Sequence, residues 1–236
     1  MKAKNGVIGR SVEGRPITTT TIGRGATTLI VIPGVHGDEP LGPRLARRFA
    51  QKLAKRPPRG VRVIIVDAAN PDGLVRKKKD NAGGVDLNRN FPSRNWGRNV
   101  RPGYCPGNEP ASEPEVKALL ALVDRFLRVG RIAQSAKHKP NLYILTLHEP
   151  FGFVNYDGPA RRWARAIGCA NGYAVKASIG YPTPGSLGTY FGVERRIPVI
   201  TLECIREPIA IAWRRHKPAL DAALAFIVGR ERATRR

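Results

Sequence analysis

Acidic residues are scarce in this chain: 18 Asp and Glu stand against 41 Lys and Arg, a formal charge of +23. A field of that sign attracts nucleic acid, anionic membrane or acidic small molecules without choosing among them. A generally basic surface would give the same number. No nucleic-acid motif accompanies the charge, and the basic residues are not interleaved with aromatics, so nucleic acid is not an expected partner. Cysteine is also scarce. Cys105, Cys169 and Cys204 are widely spaced and in no paired motif, which excludes a disulfide framework and makes a reducing cytoplasm the expected compartment. No run approaches the ~20 apolar residues of a membrane span. The opening residues Met1 to Gly6 lack the apolar stretch of a secretory leader. There is no internal repeat and no low-complexity tract.

What is present is an ordinary core-forming composition, 42% hydrophobic over 236 residues, enough for one domain spanning 1–236. Apolar runs at 27–32, 61–67, 141–147 and 198–203 read as buried strands. Between the first two, Leu41, Leu45, Phe49 and Leu53 mark one helix face, and Pro57-Pro58 ends that helix. Ser112-Glu113-Pro114-Glu115 reads as a capping box opening a second helix. Residues 208–230 read as a last helix, kinked or divided at Pro218, before a frayed basic tail. Strand–helix alternation predicts an α/β fold, a three-layer α/β/α sandwich around a mixed, largely parallel sheet. The stretch from about 70 to 112 is poor in periodicity and rich in Asn, Gly, Pro and Arg. A loop that long inside one domain is usually functional.

Four clusters carry chemistry. Val35-His36-Gly37-Asp38-Glu39 follows a strand, placing His36 and Glu39 at its C-terminal edge, where open α/β sheets keep ligands. Alone the pair is an ordinary loop motif. Leu145-Thr146-Leu147-His148 repeats the arrangement. Were those strands neighbours, His36, Glu39 and His148 would form a two-histidine, one-carboxylate catalytic zinc site. Val199 to Glu203 ends an apolar strand in a glutamate, which wants a cation or a proton to handle. Beside metal-activated water Glu203 is a general base; its bland alternative is a salt bridge with Arg206. Asn88-Arg89 sets a forked cation beside a neutral donor, suited to a substrate carboxylate. His138 and His216 lie in polar or basic surroundings and read as surface residues. Cys204 reads as packing.

Taken in order, His36-x-x-Glu39, Asn70-Pro71-Asp72-Gly73, Gly84 to Phe91, Ser112 to Glu115, His148, Tyr181 and Thr201-Leu202-Glu203 resemble the zinc carboxypeptidase family, the carboxypeptidase A clan, over roughly residues 7–207. Within the family the likeness is greatest to its murein peptide amidases. The resemblance implies one zinc ion on His36, Glu39 and His148, with Asp86 orienting His36. It implies Glu203 as the base, Asn88 and Arg89 as the grip on a C-terminal carboxylate, and Tyr181 as a tyrosine closing over substrate. One position departs. The family's usual oxyanion arginine is replaced by Lys79, with Arg76 or a neighbouring lysine as substitutes. A second departure is Glu149, directly after the third ligand: it either lines the pocket or forms a peripheral salt bridge. The implied partner is a small peptide with a free C-terminal carboxylate, and the implied reaction is hydrolysis of the γ-D-glutamyl–meso-diaminopimelate bond. An N-acyl amino acid deacylase of the succinylglutamate desuccinylase or aspartoacylase type shares the metal and clamp. A non-catalytic basic binding protein is the third reading.

Overall fold

The apolar runs pair as the centre of a seven-stranded sheet. The computed structural model describes residues 3–98, 102–132 and 142–234. Strand β2 (Pro16–Pro33) pairs in parallel with β4 (Leu142–His148), and β4 in parallel with β7 (Val199–Glu203). Antiparallel strands flank this centre: β1 (Lys4–Arg10) and β3 (Arg59–Val66) on β2, and β5 (Phe153–Asp157) on β7. The short β6 (Ala174–Lys176) closes the far edge, parallel to β5. The sheet is therefore mixed, with its parallel part at the centre.

Side chains alternate across these strands. Leu29, Val31, Tyr143, Leu145, Ile200 and Leu202 pack under α1 (Leu41–Lys55), α4 (Arg161–Asn171) and α5 (Ile209–Thr234). Ile30, Ile32, Ile144 and Val199 face the other way, under α3 (Pro114–Ile132) and a π-helical segment, Gly188–Glu194. Helix, sheet, helix: the three expected layers are there, with the short α2 (Pro71–Arg76) following β3.

Local expectations fare unevenly. The first expected strand, β2, reaches back to Pro16, because Thr18 to Thr21 pair with β1 although they carry little apolar signal. Pro218 lies inside α5 and does not divide it. Nor is the capping box formed. Ser112 donates to Glu113 at 2.6 Å, while Glu115 is fully buried and accepts from Val12 N–H and Asn81, each at 3.1 Å. The turn after β1 takes the carboxylate that the helix start was expected to use. His216 is not on the surface. It is fully buried, its ring 5.3 Å from that of Tyr173. It shares a helical face with Ala212, Ala219, Leu220 and Ala223, a stripe its basic neighbours conceal. His138 and Asn141 lie outside the described residues.

Candidate metal centre and substrate cleft

The loop after β2 is built on close backbone approaches. Gly34 adopts φ +65°, and the Asn70 N–H donates to its carbonyl at 2.8 Å. A Cβ on Gly37 would lie 1.9 Å from the Gly73 carbonyl carbon, so only glycine fits. This tight packing delivers His36 and Glu39 to the C-terminal edge of the sheet. His148 arrives as the last residue of β4, and the register pairs it directly with Glu203 of β7. Parallel pairing thus sets the third candidate ligand and the candidate base side by side.

The Glu39 carboxylate bridges the two imidazoles. One oxygen is 2.8 Å from His36 Nδ1 and the other 2.9 Å from His148 Nδ1. Candidate ligand atoms of these residues all lie within 4.8 Å of one another. The far nitrogen of His36, Nε2, is 3.1 Å from Asp86, which is fully buried. A carboxylate behind a histidine in this way fixes its tautomer and raises its basicity. Burial disfavours a charged His36, yet Asp86 and Glu39 outweigh it and raise its pKa to about 10. Burial would raise Glu39, but His148 and His36 outweigh that and lower it to about 2. The two carboxylates thus favour a cation at this point. Two nitrogens and an oxygen converging on that point are the donor set of a catalytic zinc site, so the residues fit the metal.

Around the cluster lies a cleft of about 200 Å³ lined by Lys79, Asn88, Arg89, Tyr104, Tyr181 and Glu203, among others. Glu203 is buried, and burial, then the Glu39 charge, lift its pKa to about 7 against the pull of both histidines. The salt bridge considered for it is not made: Arg206 turns to Glu149 instead, at 3.6 Å. Asp86 also accepts from the Asn88 N–H at 2.9 Å and so starts the short 3₁₀ turn Leu87–Arg89. The turn aims Asn88 and Arg89 into the cleft. Arg89 is buried, donating to the Asn88 carbonyl at 2.7 Å with its guanidinium 4.5 Å from the Tyr104 ring centre.

Lys79 also lines the cleft. Its ammonium lies 2.7 Å from Asp86 and 3.6 Å from the Tyr104 ring centre. Arg76, its suggested substitute, is turned away and pairs with Glu13. Tyr181 walls the cleft and hydrogen-bonds Tyr104; burial, then that bond, raise its pKa. Tyr104 had drawn no attention in the sequence. It sits in an aperiodic loop, and nothing local marks it as the ring beneath two cations. Glu149 performs both of the tasks open to it. It lines the cleft, pairs with Arg206, and accepts from the Leu41 N–H at 2.6 Å, capping helix α1, where Pro40 offers no side-chain acceptor.

A family profile described as "Zinc carboxypeptidase" matches residues 3–158. The chain belongs to the zinc carboxypeptidase family. Among its relatives, murein peptide amidase A of Vibrio campbellii is 30% identical over 211 residues, covering 84% of this chain and 76% of that one. Murein peptide amidase A of Escherichia coli K12 is 30% identical over 173 residues, covering 68% and 64%. The solved murein-tripeptide amidase MpaA from Escherichia coli O157 superposes with a TM-score of 0.73 at 25% identity, covering 95% of this chain and 91% of that one. Carboxypeptidase A from Helicoverpa armigera shares the fold at 18% identity, with a TM-score of 0.78 over 97% and 69%. As a zinc carboxypeptidase the protein is a hydrolase, a metallopeptidase. Among the described residues no helix is long and apolar enough to cross a membrane.

Proposed function

We propose that this zinc carboxypeptidase removes the C-terminal residue from small peptides, and from murein peptides at the γ-D-glutamyl–meso-diaminopimelate bond in particular. The observation carrying the reaction is the single sheet edge that gathers His36, Glu39 and His148 beside Glu203 and the Asn88–Arg89 pair. The murein substrate is supported by the likeness to two murein peptide amidases and to the solved one.

His36, Glu39 and His148 would hold one zinc ion per chain, with Asp86 setting the orientation of His36. When bound there, zinc would acidify water and polarise a scissile carbonyl. Arg89 and Asn88 bind the terminal carboxylate, the guanidinium offering two parallel donors. That grip fixes which amide lies beside Glu203. Glu203 takes a proton from the attacking water and returns it to the departing amine, a task suited to a carboxylate poised near neutrality. Lys79, steadied by Asp86 and Tyr104, supplies positive charge beside the developing oxyanion. It is a point charge where the family resemblance implies a fork. Tyr181 covers the bound residue. Three unpaired thiols fit a reducing compartment, the cytoplasm.

The test is hydrolysis of L-Ala-γ-D-Glu-meso-diaminopimelate, with zinc and after chelation, beside the Glu203→Gln variant. Release of diaminopimelate that needs zinc and vanishes in the variant is expected. A protein that binds one zinc yet leaves the tripeptide intact would overturn the murein assignment.

A further inference from the structure

Among the described residues, three Lys and Arg side chains line the catalytic cleft: Lys79, Arg89 and Arg206. The proposed reaction uses the first two. Arg206 has no task in it. The sheet brings it there all the same. Glu203 ends β7 beside His148 of β4, and the chain beyond Glu203 carries Arg206 to Glu149, in the loop after β4.

Arg206 is held loosely at that place. Its Nε lies 3.6 Å from a Glu149 oxygen, and a terminal nitrogen donates to the Asp38 carbonyl at 3.4 Å. Both contacts are long for a guanidinium, whose charge-assisted bonds run to about 2.7–2.9 Å. The other Glu149 oxygen is already engaged by the Leu41 N–H at 2.6 Å. The Arg206 side chain is 60% exposed. An ion pair of this kind contributes little, so little holds the fork back from a better acceptor. Phe151 lines the same cleft and is 63% exposed, its ring stacked on that of Phe153 at 6.0 Å between centres. A cation and an apolar face thus share one rim.

The rim belongs to one half of the substrate. A chamber of about 190 Å³ opens off the cleft and shares Asn88, Tyr181 and Glu203 with it. The residue gripped at Asn88 and Arg89 has that chamber for its side chain. Arg206, Glu149 and Phe151 line the cleft but not the chamber. They therefore flank the acyl half, which carries the scissile carbonyl. An α-linked acyl residue presents neutral backbone there. A γ-linked glutamyl residue presents a free α-carboxylate, a few carbons from the scissile carbonyl, with methylenes between.

We infer that Arg206 is a specificity-determining residue that selects acyl groups bearing a free carboxylate near the scissile carbonyl, as a γ-linked glutamyl residue does. Its guanidinium offers that carboxylate two parallel donors, and Phe151 lies against the methylenes. The inference rests on the carboxypeptidase reading of the site and narrows it on the acyl side.

The experiment compares kcat/KM of the zinc-loaded wild type and Arg206→Gln on two peptides. One is L-Ala-γ-D-Glu-meso-diaminopimelate; the other has its glutamyl α-carboxylate converted to a carboxamide. Melting temperature and zinc content of both proteins are recorded. Wild type is expected to prefer the carboxylate about 10-fold, the worth of one charge-assisted hydrogen bond, and Arg206→Gln to lose that preference. An equal loss on both peptides would show that Arg206 merely braces Glu149, and would overturn the inference. A preference that survives in the variant would assign it to the general positive field of the protein and overturn it too. Should neither murein peptide be cleaved, N-acetyl-L-Glu-L-Ala and N-acetyl-L-Gln-L-Ala take their place. Cleavage of these with an acid preference that Arg206→Gln abolishes sinks the murein reading and leaves this one standing. A protein that cleaves none of the four is titrated calorimetrically with L-Ala-D-Glu and its α-carboxamide. Tighter binding of the acid that the variant loses supports the inference, and equal binding, or none, overturns it.

Discussion

Glu203 shows how a single residue acquires its chemistry from its surroundings. A glutamate in water is ionised far below neutrality; this one is buried, close to Glu39, and sits at about 7. It can accept a proton only when ionised. The expected consequence is a kcat/KM that falls as pH drops through that region, with a bound cation moving the acid limb downward. Glu203→Gln should remove the limb and cost about 10²–10⁴-fold in rate, checked by pH–rate profiles of both proteins at saturating zinc. A limb that persists in a variant with residual activity would assign it to another group. At this scale the sequence was most legible. His36, Glu39, His148 and Glu203 stand at strand ends, where an apolar run breaks into a polar residue.

Helix α1 depends on a residue from a distant element. Pro40 precedes it without a side-chain cap, and no acidic residue occupies its first turn. Glu149, just past the end of β4, supplies the missing acceptor at Leu41 N–H. Burial raises the pKa of Glu149, and the positive end of the helix favours its ionised form. Replacing it with alanine should cost about 1 kcal/mol and lower the melting temperature, measured calorimetrically beside Glu149→Gln, which keeps an acceptor and should lose less. Equal, full stability of both variants would show that the contact contributes nothing. The cap was invisible in sequence, since helix starts are read from neighbours in the chain. The failed capping box at Ser112 has the same origin in reverse: Glu115 was claimed by Val12 and Asn81 from afar.

Stability of the molecule as a whole should carry the mark of His216. Its two ring nitrogens have no partner among the described residues, and burial lowers its pKa from 6.5 to about 4. The unfolded chain then binds the extra proton between those values. Stability is fully present above about 6.5 and is lost as pH falls toward 4, by up to about 3 kcal/mol. Urea unfolding across that range, with His216→Leu as the comparison, should show a slope that the variant lacks. An identical slope in both proteins would place the dependence elsewhere.

Period and punctuation in the chain determined the α/β class, the strand ends that carry the candidate ligands and the candidate base, and the polar loop that bears Asn88 and Arg89. Those signals are local, because side-chain alternation and a break after an apolar run are properties of consecutive residues. The tertiary structure alone decided that β4 lies between β2 and β7, which brings His148 to Glu39 on one side and to Glu203 on the other. It alone placed Tyr104 under Lys79 and Arg89, and Glu149 at the start of α1. The reason is distance along the chain. Each of these contacts joins residues far apart in sequence, and their energy exists only once strand order and register have brought the backbones together.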